Sequence, residues 1–257
     1  MIITTGSAAL EEWVERAKAL ASDTGLPYVP RQSTSLTKLI QNSGDSVVLV
    51  ILEGGARLVR PNHPSIEYHP SMGYVRVKRI LKGEPDPMLE AVDMQAGDSV
   101  LDCTAGLGSD SLVFAVKAGA EGTVTALESS KDIAVLLKEG FSHYVTGIEE
   151  VNQAMRRIIV KHGHHLDVLR EMSDKSVDIV YFDPMFREPI MDSAAINPLR
   201  EFANSDALHT ESIQEAIRVA RKSVLLKEKW NSPEFARLGF RMLERSHSKI
   251  TYGVIKP

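Results

Sequence analysis

From Gly97 onward the chain repeats one unit, a short apolar run followed by a helix-length segment, and this alternation restricts the fold more than any other feature. Ser99–Asp102, Thr123–Glu128, Ile158–Val160, Val177–Phe182 and Ser223–Lys227 read as strands. Ser109–Ala118, Lys131–Lys138, Ile148–Arg157, Leu166–Met172 and Thr210–Arg221 read as the helices among them. Strands that are apolar almost throughout need cover on both faces, and a parallel sheet flanked by helices provides it. The alternation ends in Arg241–Glu244 and Ile250–Ile255, two strand-like runs joined by a short polar turn. The pattern predicts an α/β fold with a mostly parallel sheet and an antiparallel C-terminal strand.

The first 72 residues follow a different plan. Leu10, Trp13, Val14, Ala17 and Leu20 recur at helical spacing, so Ala8–Ala21 reads as an amphipathic helix that Gly25 and Pro27 end. Ser35 is placed to cap a second short helix through Ile40. Val47–Leu52 and Arg57–Arg60, separated by a turn at Glu53–Ala56, read as paired strands. Pro61–Gly73 is rich in Pro, His and Ser and reads as a loop or linker. The division expected is a small α/β subdomain over residues 1–72 and a main domain over 73–257. Arg76, Lys78, Arg79 and Lys82 then form a basic stretch, either a solvated face or a contact for RNA.

Composition narrows the function classes. The single cysteine, Cys103, excludes an internal disulfide and fits a reducing, cytoplasmic setting. No apolar run reaches the length of a membrane span, and no basic-then-apolar leader opens the chain. The net charge of −4 does not advertise a phosphate-binding protein, so any nucleic-acid contact must come from a local basic patch. The histidines at His63, His69 and in Lys161–Asp167 match no metal-ligand spacing, so no metal is expected.

Asp102-Cys103-Thr104-Ala105-Gly106-Leu107-Gly108-Ser109-Asp110 connects the first strand of the alternation to its helix. Glycines there allow a tight turn and a close approach by a ligand, and the helix start behind them offers free amides. Glu128 ends the next strand, 20 positions after Gly108. A carboxylate at that place can accept hydrogen bonds from both hydroxyls of a ribose, so the pair reads as a site for an adenosine-type cofactor. The dinucleotide fingerprint would need a third glycine where Ser111 stands. Asp102, just before the turn, would repel a pyrophosphate but suits the ammonium and sulfonium of S-adenosylmethionine (SAM). SAM is therefore expected, held by Asp102, Thr104, Ala105, Gly106, Gly108, Ser109, Asp110 and Glu128 in a Rossmann-like domain. A dinucleotide-dependent oxidoreductase is the alternative.

Asp183-Pro184-Met185-Phe186 follows the fourth strand of the alternation, at the sheet edge where open α/β folds bind ligands. It is similar to the (D/N/S)-P-P-(Y/F/W) motif of methyltransferases that act on exocyclic or amide nitrogen, with Met185 in place of the second proline. Asp183 and the Pro184 carbonyl can accept the two N–H bonds of a planar amine and turn its lone pair toward a methyl group, while Phe186 can stack on the base. These three are the catalytic candidates. Cys103 reads as buried packing. His164, His165 and Asp167 follow the third strand, where adenine contacts and plain loop positions both remain open.

DCTAGLGSD (102–110) together with VYFDPMF (180–186) resembles the bacterial small-subunit ribosomal RNA guanine-N2 methyltransferases, whose pattern is D-A-T-A-G-L-G-x-D, an acidic residue ending the next strand, then V-Y-L-D-P-M followed by Phe or Tyr. The likeness covers about residues 73–228, with Lys78–Val92 as the counterpart of a basic, Gly-rich approach segment. It implies cofactor contacts at Ser109, Asp110, Glu128, Ser129, His164, His165 and Asp183, and rRNA as partner. Ser129 stands where the family favours arginine, and His164 and His165 where it is serine-like. Arg187-Glu188-Pro189 replaces a lysine-rich loop. The function expected is SAM-dependent N-methylation of an exocyclic amine of a base in RNA. A protein amide, a small amine, or a non-catalytic SAM-binding module are the other readings. No segment specifies an oligomeric state.

Overall fold

The structure, a computed structural model, describes residues 1–184, 208–243 and 248–257. Two sheets carry it. In the first, β1 (Ile2–Thr5), β2 (Val48–Leu52), β3 (Gly55–Val59) and β4 (Ile66–Glu67) lie in that order. β1 runs parallel to β2, and the other neighbours are antiparallel. The crossover from β1 to β2 contains α1 (Glu11–Thr24) and α2 (Leu36–Ser43). Gly25, at φ 65°, closes α1 in the left-handed conformation that glycine adopts without steric cost. The Ser35 side chain accepts from the Lys38 amide and caps α2, as its position in the sequence implies.

The expected linker at 61–73 is instead a structured connection, and this corrects the sequence reading. It contains β4, and α3 (Ser71–Ile80) begins within it. Tyr68 is buried, with its ring edge-on to Phe141 and Tyr144 at 5.6 and 5.5 Å between centroids. A Cβ on Gly140 would lie 2.1 Å from the Tyr68 ring, so only glycine admits this contact. Such edge-to-face packing adds about 0.5–1.5 kcal/mol to area burial. A proline- and histidine-rich stretch is therefore pinned by one aromatic side chain, which composition alone does not announce.

α4 (Pro87–Ala91) leads into the second sheet. There β5 (Ser99–Asp102), β6 (Thr123–Glu128), β7 (Ile159–His162), β8 (Val177–Phe182) and β9 (Ala220–Lys229) pair in parallel, and β10 (Arg241–Met242) and β11 (Ile250–Ile255) complete it. The order is β10-β11-β9-β8-β5-β6-β7, with β11 antiparallel to both its neighbours. Among the described residues the helices between these strands are α5 (Ser109–Ala118), α6 (Lys131–His143), α7 (Glu149–Arg157), α8 (His165–Glu171), α9 (Thr210–Val219) and α10 (Glu234–Leu238). The mostly parallel sheet and the antiparallel C-terminal strand agree with the sequence pattern.

The strand order reverses at β5, between β6 on one side and β8 on the other. At such a switch point the loops leaving neighbouring strands diverge and open a crevice beyond their carboxyl ends. The centre of the sheet is apolar and dry: Ile179, Val180, Tyr181 and Phe182 of β8 and Val224, Leu225 and Leu226 of β9 are each 0% exposed. Facing α6, the first sheet shares its apolar core with the second, and Arg16 of α1 pairs with the buried Glu139 of α6 at 2.7 Å. Among the described residues no helix is long and apolar enough to cross a membrane.

Candidate active site

β5 delivers the chain to the crevice at Asp102. Gly106 (φ 54°) and Gly108 (φ 73°) then adopt left-handed conformations, and α5 starts at Ser109. A Cβ on Gly108 would lie 2.3 Å from Cζ of Phe141, so this position requires glycine for space as well as for conformation. α3 crosses just behind the turn, where a Cβ on Gly73 would meet the Ser109 carbonyl oxygen at 2.5 Å. Glu128, at the end of β6, closes the other side. One of its carboxylate oxygens accepts from the Gly106 amide at 2.9 Å and the other from the Ser130 amide at 2.8 Å. A carboxylate has about four acceptor directions, so two held by backbone amides leave capacity for hydroxyl donors. Ser129 Oγ lies 3.5 Å from the same carboxylate.

The loop after β8 is tied to this turn. The Asp183 amide donates to Thr104 Oγ1 at 2.6 Å, so the glycine turn sets where the Asp183 backbone sits. Asp183 Oδ2 in turn accepts from Lys227 Nζ at 2.7 Å. Lys227 belongs to β9 and also donates to Asp110 Oδ2 at 2.9 Å. Asp110 takes the Tyr181 hydroxyl at 2.7 Å and pairs with Arg76, whose guanidinium also grips Asp86 through two 2.8 Å bonds. The cluster Asp86–Arg76–Asp110–Lys227–Asp183 thus runs unbroken from α3 to the site. Met185 and Phe186 lie outside the described residues; Pro184 is half-buried.

Charges in this cluster are set by burial and by one another. Burial raises Asp183 to about 6; Lys227 opposes that rise and the Asp110 carboxylate adds to it. Burial would also raise Asp110, but Lys227, Arg76 and the Tyr181 hydroxyl outweigh it and hold this carboxyl below the usual range. Lys227 and Arg76 face the same contest with opposite sign: burial would discharge them, and the carboxylates keep them firmly protonated. Asp102 is turned into the interior, where it accepts from Ser111 Oγ at 2.5 Å and the Thr104 amide at 3.2 Å, and burial pushes it up to about 7. It braces the turn from within. Cys103 is buried and its thiol is pushed up by burial, consistent with packing.

The third strand brings His164 and His165. His164 caps α8 by accepting from the Leu166 amide, and His165 stacks on it with ring centroids 4.2 Å apart. Burial, then the neighbouring His164, lowers His165 to about 4, so it is neutral near pH 7 and exchanges a hydrogen bond with Ser212 of α9 at 3.1 Å. Asp167 is exposed and faces Arg170 at 4.0 Å.

Two site residues have no counterpart in the sequence reading, Lys227 and Tyr181, and a third changes role. Arg76 is not part of a surface stretch, because its side chain is 19% exposed and committed to Asp86 and Asp110. Lys78, over the Tyr74 ring at 4.8 Å, and Arg79, paired with Glu84, are the surface cations of α3. The signal available for Lys227 was a lysine directly following the apolar run Val224–Leu226, which is expensive to bury unless paired.

A family model described as "Putative SAM-dependent methyltransferase" matches residues 35–242. The chain belongs to this family. The methyltransferase is 40% identical to the uncharacterized protein YpiP of Bacillus subtilis over 255 residues, 99% of each chain. It is 28% identical to the ribosomal RNA small subunit methyltransferase J of Thioalkalivibrio sulfidiphilus over 227 residues, 85% of this chain and 84% of that one. The SAM-dependent methyltransferase NGO1261 of Neisseria gonorrhoeae shares the fold, with a TM-score of 0.65 over 100% of this chain and 96% of that one at 20% identity. The enzyme uses SAM, and the crevice fits that cofactor. Glu128 and Asp183 border it, with Asp102 beneath; Asp110, expected on the cofactor, is instead committed in the interior to Arg76, Lys227 and Tyr181, and the two cations of the buried cluster are already spent on carboxylates. Such a donor set suits a ribose diol and a sulfonium and disfavours a pyrophosphate.

Proposed function

We propose that this methyltransferase methylates the exocyclic amine of a base in ribosomal RNA, most closely a guanine N2 in the small subunit. One observation carries the reading: the Asp183 amide is bonded to Thr104 Oγ1 at 2.6 Å, so Asp183 and the cofactor turn are joined at one edge of the sheet. The relatives named as small-subunit rRNA methyltransferases support the choice of RNA.

In this reading Glu128 accepts from the ribose hydroxyls, and Ser129, Ser109 and the backbone of Ala105–Gly108 line the rest of the cofactor turn. SAM supplies a methyl group already activated by its sulfonium, so the chain's task is alignment and exclusion of water. Asp183 and the Pro184 carbonyl accept the two N–H bonds of the amine and hold its lone pair in line with the methyl group. Phe186 stacks on the base. Neutral His165, with His164, borders the adenine. The chemistry belongs to residues 73–257, and residues 1–72 form the flank against which α6 packs.

Glu128→Ala is expected to weaken SAM binding about 10-fold or more, the worth of one or two charge-assisted hydrogen bonds. Isothermal titration with SAM checks it; unchanged affinity would remove Glu128 from the ribose site. For the substrate, the enzyme is incubated with tritiated SAM and extract from cells lacking the protein. Incorporated label should be lost on ribonuclease treatment and survive protease. The reverse pattern would assign a protein amide.

A further inference from the structure

Lys227 holds a position that a lysine serving stability alone would not need. It lies on β9 beside the fully buried Leu225 and Leu226, and its own side chain is 19% exposed. A single buried carboxylate would satisfy it, yet it bridges two. Asp110 is already engaged by Arg76 and the Tyr181 hydroxyl. Asp183 is 26% exposed, and its Oδ2 is held by Lys227. One face of Lys227 is therefore anchored in the interior and the other presents Asp183 to the site.

We propose that Lys227 is the positioning residue that fixes Asp183 in orientation and keeps it ionised, with Asp110 and Arg76 as its anchor. The proposal rests on the reading of Asp183 as the group that accepts the amine N–H. Without the ammonium, Asp183 would face Asp110 across a buried space, and two carboxylates so placed do not both ionise. A protonated Asp183 would offer a donor where the amine needs an acceptor. Among the described residues, the charged and titratable groups around Asp183 are Lys227 from β9, Asp110 from α5, Asp102 from β5, Tyr181 from β8 and, behind Asp110, Arg76 from α3 with Tyr252 from β11 beside it. Only Lys227 among them brings positive charge into contact with Asp183.

The test reads Asp183 directly, by carboxyl carbon-13 NMR of aspartate-labelled full-length protein, with the Asp183→Asn variant assigning the resonance. Lys227 favours the ionised form, so its removal raises the titration midpoint. In Lys227→Met the midpoint is expected to rise by at least about one pH unit, and in Lys227→Arg to stay near that of the wild type. Asp110→Asn removes a repelling charge and releases Lys227, so there the midpoint is expected to fall. Opposite signs in two variants of one buried cluster cannot come from a general loss of packing, and either variant alone suffices if the other does not fold. An unmoved midpoint in Lys227→Met, or a rise in Asp110→Asn, overturns the proposal. In methyl transfer to RNA from cells lacking the protein, Lys227→Met should lower kcat about 10-fold or more at pH 7, with part of the loss recovered as pH rises, and should change SAM affinity less than about 3-fold. Added to Asp183→Asn it should cost nothing further. A shifted midpoint together with full activity in Asp183→Asn would leave Lys227's role standing and remove Asp183 from the chemistry.

Discussion

Asp183→Ala is expected to lower the turnover of methyl transfer by about 10²-fold or more while leaving SAM affinity within a few-fold of the wild type, because the lost interaction orients the acceptor nitrogen, not the donor. The structure makes this substitution unusually clean. Asp183 is 26% exposed and not part of the apolar core. Its backbone bond to Thr104 comes from the amide and survives the change. Lys227, deprived of Asp183, keeps Asp110 at 2.9 Å, so no buried charge is left without a partner. Folding should therefore be nearly unaffected, and a kinetic loss can be assigned to the site. Steady-state kinetics with tritiated SAM, alongside SAM titration, separates the two quantities. Equal losses in kcat and SAM affinity would place Asp183 on the cofactor instead.

Arg76→Met is expected to have the largest effect on stability. Asp86 and Asp110, at 6% and 8% side-chain exposure, would lose the guanidinium that offsets their burial. Removing one partner of a buried ion pair typically costs about 3–5 kcal/mol, against about 0.5 kcal/mol for an ordinary surface change. The pH dependence follows from Asp110. Burial would raise its pKa, but Lys227 and Arg76 outweigh that and hold it below its unfolded value. Its contribution to stability is therefore present above about pH 4 and disappears as pH falls through the folded-state value. Urea unfolding should show the deficit of Arg76→Met in full at pH 7 and a smaller one below about pH 4. A loss under about 1 kcal/mol at pH 7 would mean that Arg76 is the solvated surface cation its sequence neighbours imply. Arg79→Ala, which breaks only an exposed pair with Glu84, should cost less than about 1 kcal/mol.

The contrast between Arg76 and Arg79 shows where sequence reading reached its limit. Both stand in one basic stretch, and on a helix three positions apart they share a face, yet one is interior and the other is not. What separates them is Asp110, 34 positions away, and no local pattern records that pairing. Lys227 was hidden for the same reason, since its partners lie 44 and 117 positions off. β1 was missed because Ile2–Thr5 is only four residues long and is made a strand by its parallel neighbour β2. By contrast, the main sheet was legible because its central strands carry continuous apolar runs, Ile179–Phe182 in β8 and Val224–Leu226 in β9, and this signal is local. Gly106, Gly108 and Glu128 were legible because backbone conformation and strand-end position restrict those places to few residue types. Asp102 was assigned to the crevice by its sequence position, whereas its carboxylate points to Ser111 in the interior.

The most direct test of a donor and an amine held at one sheet edge is to map methylated nucleosides, by mass spectrometry, in small-subunit ribosomal RNA from cells with and without this protein. The account predicts one base methylated on an exocyclic nitrogen that disappears without the protein and returns with the wild type but not with Asp183→Ala. Identical methylation maps, with tritiated SAM labelling only protein, would contradict it.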